Sequence, residues 1–341
     1  MKTLCFTSFS FSYLNRARVL FQSLRRFHPD WHLVALMTDE PPAGFIFDVA
    51  NEPFDEVVWQ DELGIEGIEG WLFKHDIVEI CTAVKGPYLY KATQLGYDAV
   101  IYLDPDTCLF NPLTPLLELL EKHDIVLTPH LLEPETDPMA IVDNEICPLW
   151  AGVYNLGFVA IRSTGEGARF AKWWADRLEV YCHDDPEKGL FVDQRWCDHV
   201  PVFFDKVLIL KDPGYNTASW NVNQRRITVD ADGNVRSNEG LLRFWHFTKL
   251  GPLGDTMTRR YARDQIVVYE LWRWYREQVK QATSPEIPDR YWAFGRFADG
   301  TPIERGHRLL YRHREDLQHA FPNPFGEDFS SWLQAEGLKA D

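Results

Sequence analysis

The stretch "VIYLDPDTCLF", Val100 to Phe110, runs from an apolar segment straight into two carboxylates, Asp104 and Asp106, on either side of a proline. Two acids at that spacing can serve chemistry if the apolar run is a strand, because open α/β sheets bind ligands just beyond their strand ends. They can equally make a turn, since Asp and Pro are both turn residues. The chain has 51 acidic residues, and a second triplet, Asp230-Ala231-Asp232, occurs within it. That one lies in "RRITVDADGNVRS", two short strand-like runs around Asp-Gly-Asn, which predicts a hairpin turn. An EF-hand loop is excluded there, because Val235 stands where such a loop needs glycine. Other polar residues stand beside apolar runs downstream: Asn155 in "YNLGFVAI", Asp193 and Gln194 in "FVDQRW", His246 in "FWHF". Carboxylates and amides make several directional hydrogen bonds and suit ligands rich in hydroxyls. The competing readings are a helix start for Asp193 and Gln194, and a packed ring between Trp245 and Phe247 for His246.

Elements must hold these residues in place. "TLCFTSF" reads as a buried first strand, followed by a helix with Ala17, Leu20, Phe21, Leu24 and Phe27 at helical spacing. "HLVALMTD" is the next strand and ends in Asp39. Trp71 to Leu95 is helical in pattern, with a break expected near Gly86-Pro87. "AVIYLD" reads as a central strand, apolar on both faces. "NPLTPLLELLEKHD" predicts a helix with Thr114 as N-cap and Pro115 at the first helical position. "DIVLTPH" and "NLGFVAI" supply further strands. Strand and helix alternate, so the fold class is α/β with a central, mostly parallel sheet. The texture changes past Gly254. "TRRYARDQIVVYELWRWYREQVKQ" reads as one aromatic, net-basic amphipathic helix, followed by a linker with Pro285 and Pro288 and a helical tail. Two domains are expected: residues 1–255, and a helical C-terminal extension over 256–341.

The chain of 341 residues is long enough to bury a large core. A formal net charge of −16 argues against nucleic-acid binding, which needs a basic face. The same charge means that any bound anionic nucleotide needs a metal ion or a few placed cations beside its phosphates. Six cysteines without a C-x-x-C spacing read as buried thiols of a reducing compartment. No signal-peptide pattern or ~18-residue apolar run stands out, so a cytoplasmic, soluble protein is expected. The basic aromatic helix, Arg259 to Lys280, adds the expectation of peripheral contact with an anionic membrane face.

Four motifs, "IYLDPDT", "YNLGFVAI", "FVDQRW" and "FWHF", follow one another in that order. In this the chain resembles the GT-A fold glycosyltransferases, and is most similar to the retaining enzymes of glycosyltransferase family eight, over roughly Lys2 to Gly251. The resemblance implies a nucleotide-diphosphate sugar as donor and a divalent cation, manganese or magnesium, held by Asp104, Asp106 and His246. Oxygen ligands with an added imidazole suit manganese chemically. Lys85 stands where the family usually carries an arginine that contacts the nucleotide sugar. Lys249 follows His246 in "HFTKLGPLG", which departs from the family's H-x-x-G-x-x-K-P-W-like run, and is the candidate phosphate contact. Thr7 and Ser8 after the first strand, with Tyr13 as a stacking ring and Asp39 beyond, are the base-side candidates; ordinary capping and turn chemistry is their alternative. Asp193 and Asn155 would meet sugar hydroxyls, and Gln194 would lie near the anomeric carbon. His130 is an acceptor-side candidate. Retention is what the resemblance implies; no carboxylate stands out as a covalent nucleophile, and a front-face displacement is the mechanism that fits this residue set.

The acceptor expected is a glycan, a lipid-linked glycan or another hydroxyl compound. "YWAFGRFADGTPIERGHRLLYRH" resembles segments that accompany bacterial surface-glycan transferases. The rivals are a sugar-phosphate nucleotidyltransferase and a non-catalytic sugar-binding protein. The first usually has a glycine-rich loop after its first strand, and "FTSFSFSYLNR" has no glycine.

Overall fold

The computed structural model describes residues 1–337. In chain order, the strands that build the crevice and its supports are β1 (Thr3–Phe9), β2 (His32–Met37), β3 (Glu56–Trp59), β4 (Ala99–Leu103), β5 (Thr107–Leu109), β6 (Ile125–Pro129), β7 (Tyr154–Arg162), β8 (Val207–Ile209), β9 (Thr217–Ala218) and β10 (Phe244–His246). Seven of them form the central sheet in the order β8-β6-β7-β4-β1-β2-β3. Pairings are parallel except those of β7, which runs antiparallel to both β4 and β6. The expected α/β class with a mostly parallel sheet is what the chain adopts. Every residue of β1 and β4 is buried, as strands covered on both faces require.

One face of the sheet is covered by α2 (Lys85–Thr93) and α4 (Gly165–Tyr181), through Tyr88, Leu89, Phe170 and Trp174. The other is covered by α1 (Leu14–Phe27) and α3 (Thr114–Leu120), through Leu20, Phe21, Leu24, Leu116 and Leu120. The break expected near Gly86-Pro87 falls at Val84, two residues earlier, and a second interruption lies at Lys74–Asp76. Pro87 is tolerated because it sits in the first turn of α2, where backbone N–H groups have no intrahelical partner. Gly86 is there for contact, since a Cβ on it would stand 2.9 Å from the Ala175 Cα of α4. Thr114 is the first residue of α3 rather than its N-cap, which is Leu113. The Leu113 N–H is satisfied by His28 Nε2 at 2.8 Å, a partner from far upstream.

A smaller sheet, β9-β10-β5, hangs below the main one. It pairs His246 with Thr107, and so brings the histidine beside the acid pair. The expected single basic helix is two helices, α5 (Pro252–Ala262) and α6 (Ile266–Gln281). They part at Arg263, whose φ of 51° no helix accommodates. On α6, Trp272 and Tyr275 are buried against Phe247, and Trp274 stays exposed. Beyond the linker, α7 (Arg305–His313) and α8 (Glu327–Ala335) pack Tyr311, Phe329 and Leu333 around Phe73. Four cysteines are buried, Cys81 and Cys147 are partly exposed, and all six are free thiols. No described helix is long and apolar enough to cross a membrane.

Candidate functional site

A crevice of about 420 Å³ opens where β1 and β4 end and β7 begins. This is the position an open α/β sheet reserves for ligands. Asp104 and Asp106 follow β4 directly, and the Asp104 N–H donates to Gly157 O at 2.8 Å, tying the acid turn to β7. His246 Nε2 lies 3.1 Å from Asp106 Oδ1 and 3.6 Å from Asp104 Oδ2. One ligand atom from each of the three residues falls within 4.8 Å of the others. The ring is fixed from behind, its Nδ1 lying 3.2 Å from Asn216 Oδ1 and Trp220 packing edge-on at 5.3 Å. An Nδ1–H donated to that carbonyl leaves the Nε2 lone pair facing the acids.

Gly157 makes room for this ring. A Cβ there would stand 2.4 Å from His246 Cε1 and 2.7 Å from Nδ1. Oxygen, oxygen and imidazole converging on one point, with a bare glycine behind them, fit a divalent cation such as manganese. Burial disfavours charge on both partners, yet the His246 ring holds Asp106 below its ordinary value and Asp106 in turn lifts His246 above its own.

Lys85 sits under the acids and is only 3% exposed. Its Nζ is 3.0 Å from Asp104 Oδ1, 3.0 Å from Asp193 Oδ2 and 3.3 Å from Leu156 O. Burial works against the ammonium, but Asp104 and Asp193 hold its pKa well above the usual lysine range. Tyr102 OH donates to the same Asp104 oxygen at 2.6 Å. The first turn of α2 therefore delivers a fixed cation to the crevice floor, rather than a solvated surface charge.

Gln194 and Asn155 line the wall. The Gln194 amide donates to Ala151 O at 3.0 Å and accepts from Leu156 N at 3.3 Å, which fixes its plane. Asn155 Oδ1 accepts from the Asn216 amide at 3.0 Å, and its Nδ2 donates to His130 Nε2 at 3.2 Å. His130 is thereby a support for Asn155, and burial lowers its pKa to about 4.

The base-side candidates divide. Ser8 and Tyr13 line the crevice. Ser8 Oγ already donates to Cys81 O at 2.6 Å, and one face of Tyr13 is covered by the Arg16 guanidinium at 3.8 Å. Thr7 points to the other side of β1, fully buried with its hydroxyl unpaired, and does not line the crevice. Asp39 does not line it either. Its carboxylate accepts backbone N–H bonds from Phe11 at 3.0 Å, Glu40 at 3.0 Å and Ala293 at 2.7 Å, so it pins the C-terminal extension to the sheet edge. Burial pushes it up to about 7 against those three donors. Lys249 does reach the crevice rim, from a backbone with φ of 57°. Asp230 and Asp232 are far simpler: Asp230 Oδ1 accepts from Asp232 N at 3.1 Å and Asn234 N at 2.9 Å, closing the expected hairpin turn.

Sequence reasoning missed Tyr102, Asn216, Trp220 and Gly157. Gly157 alone carried a signal, since an isolated glycine inside a strand marks a close approach.

No protein-family model matches the chain. A stretch of 235 residues is 27% identical to the uncharacterized protein YfnD of Bacillus subtilis (strain 168), spanning 67% of this chain and 72% of that one. Among solved structures, the galactosyltransferase LgtC in complex with donor and acceptor sugar analogs is similar over 84% of this chain and 98% of its own, at 16% identity and a TM-score of 0.46. The glycosyltransferase GlyE of Streptococcus pneumoniae TIGR4 is similar over 82% of this chain and 64% of its own, at 15% identity and a TM-score of 0.42. Mouse xyloside xylosyltransferase 1 is similar over 74% and 98%, at 14% identity and a TM-score of 0.39. Similarities this distant assign no activity, so the crevice itself has to carry the function.

Proposed function

We propose that this chain is a glycosyltransferase of GT-A type, moving a sugar from a nucleotide-diphosphate sugar to a hydroxyl acceptor. The observation that supports it most is the convergence of Asp104, Asp106 and His246 at the end of β4, over a lysine that is itself locked between two acids. In this reading the three residues hold manganese or magnesium, which when bound stabilises negative charge on the leaving diphosphate.

The chain's own groups do the rest. Lys85 orients Asp104 and Asp193 through an ion pair of 3.0 Å to each, so that neither drifts toward solvent. Asp193 and Asn155 offer oxygens and an amide to sugar hydroxyls. Lys249 stands at the rim, where it meets a phosphate, and Ser8 and Tyr13 lie on the side left for the base. Gln194 sits on the wall with its amide plane fixed, and the described carboxylates that line the crevice, Asp104, Asp106 and Asp193, are engaged by Lys85 or His246. That favours transfer with retention, the acceptor proton passing to the leaving group. NMR of the first-formed product tests this, and an inverted linkage overturns it. The acceptor class we propose is a growing surface glycan or a lipid-linked glycan. α6 turns Trp272 and Tyr275 inward against Phe247, so these rings are not free to meet a membrane surface.

The deciding experiment is a thermal-shift screen of nucleotide sugars with and without manganese. A ligand at 100 times its Kd stabilises the native state by about 2.7 kcal/mol. Stabilisation that needs both components is expected; no shift with any pair overturns the reading.

A further inference from the structure

The segment before Asn155 is built inside out. Residues 138–151 form one helical run, α-helical at both ends with a π-helical stretch, Ile141–Ile146, between them. Its polar side chains turn inward. Asp143 Oδ2 accepts from Tyr261 OH at 2.6 Å and pairs with Arg260, and Glu145 Oε1 accepts from Glu135 N at 2.7 Å. Asn144 is buried among them. Its outer side is apolar throughout: Met139, Val142, Ile146, Leu149, Trp150 and Val153 are 40–67% exposed, and they are all the exposed residues between 139 and 153. Steps of three and four residues put Met139, Val142, Ile146 and Leu149 on one stripe, and Trp150 adjoins Leu149 at its crevice end. A surface helix normally shows the reverse pattern, so a stripe of this kind marks a contact.

Three observations say what lies on it. The stripe runs into the crevice: Trp150 packs edge-to-face on Phe191 at 5.1 Å, Phe191 lines the crevice, and Ala151 O holds Gln194. The stripe itself carries no charged side chain, and the acids beside it face arginines, Asp143 pairing with Arg260 and Asp137 lying 4.0 Å from Arg263. With its neighbouring acids facing arginines, the stripe offers no unbalanced charge to hold an ionic group and suits an uncharged occupant. Finally, it is long and narrow, about 17 Å from Met139 to Trp150 at the helical rise per residue. A neutral, extended apolar chain meets all three conditions.

We propose that this stripe holds the uncharged apolar aglycone of an amphiphilic acceptor, whose sugar hydroxyl enters the crevice past Trp150 and Phe191. This rests on the transferase reading and names its acceptor class.

The test uses the full chain and n-octyl glucoside below its micelle concentration, followed by calorimetry and tryptophan emission. The variants are Leu149→Ser alone and the triple Val142→Ser, Ile146→Ser, Leu149→Ser, all at exposed positions, with thermal melting to confirm folding. The wild type is expected to bind the glycoside with a change in tryptophan emission that a Trp150→Phe variant reduces. The triple variant should bind it at least ~10-fold more weakly, with manganese-dependent nucleoside-diphosphate binding unchanged. Equal binding by wild type and triple variant overturns the proposal. A wild-type dimer that the triple variant dissociates overturns it too, by giving the stripe to a second copy. Nucleotide binding without glycoside binding sinks the stripe and leaves the transferase reading standing. Glycoside binding without manganese-dependent nucleotide binding sinks the transferase reading, and with it the acceptor's place on the stripe.

Discussion

Replacing Gly157 with alanine adds one methyl group where the His246 imidazole now lies. The added carbon would stand 2.4 Å from Cε1, 2.7 Å from Nδ1 and 2.8 Å from Asn155 Oδ1. Ordinary carbon contacts begin near 3.5 Å, so the ring has to retreat by about 1 Å. It has little room to do so, because Trp220 packs on it at 5.3 Å and the Phe247 N–H is tied to Asp106 O at 2.8 Å. The backbone itself tolerates alanine, since Gly157 is not among the residues with positive φ. Overpacking should cost about 1–3 kcal/mol of stability and leave the fold intact. Metal affinity should fall by ~10–100-fold and turnover by ~100-fold, the scale of displacing one ligand or one positioned group by an ångström. Manganese titration by calorimetry checks it, best as a double-mutant cycle with His246→Ala. Once the ring is gone, the methyl presses only on Asn155 Oδ1, which is not one of the three metal-holding residues, so Gly157→Ala should cost no further metal affinity in that background. Wild-type manganese affinity in Gly157→Ala, or losses that simply add, would refute the assignment of His246 as a ligand.

Asp104→Asn or Asp106→Asn should abolish manganese-dependent binding and cut turnover at least ~100-fold, whereas the same change at Asp230 or Asp232 should leave both nearly intact; equal loss at the two triplets would mean the wrong acids were chosen. Asp104→Asn should also melt lower than Asp106→Asn, because Asp104 Oδ1 receives both Lys85 and Tyr102, and scanning calorimetry would show the order. A third prediction concerns acid. Burial lowers His75 to about 3 and His183 to about 4 from 6.5, so the stability of keeping both rings neutral is complete above pH 6.5 and is lost as pH falls toward 4. Glu79 opposes its burial through Arg312 and lies below its ordinary 4.5, so its share is lost at still lower pH. Since Arg308 and Arg312 of α7 fasten onto this same turn, the melting temperature should drop on acidification from pH 6.5 to 4, and a His75→Gln, His183→Gln variant should flatten that drop. An unchanged slope in the variant would contradict the linkage.

What the sequence could tell about this molecule follows from the range of the forces involved. β1 and β4 were legible because strands covered on both faces must be apolar throughout, and the acids were legible because polar residues have one cheap place on such a strand, its end. The hairpin at Asp230 was legible for a similar reason, as Asp-Gly-Asn states its own turn. The same uniform burial hid which way Thr7 points, since a strand apolar on both faces shows no alternation. Arg263 breaks a helix in the left-handed region with no glycine or proline to mark it, so its cause lies in packing rather than in local preference. Asp39 looked like a ligand-facing acid at a strand end and is instead consumed by three backbone N–H groups, one of them from Ala293, 254 residues downstream. Lys85 was legible as a nucleotide-sugar contact only through the resemblance. What makes it functional is that Asp104 and Asp193 meet it from two separate segments, and that meeting is a property of the sheet order. The helical run over 138–151 shows the limit most plainly. Its outward apolar stripe is indistinguishable in sequence from a core-facing one, and only the inward anchoring of Asp143 and Glu145 shows which side the water is on.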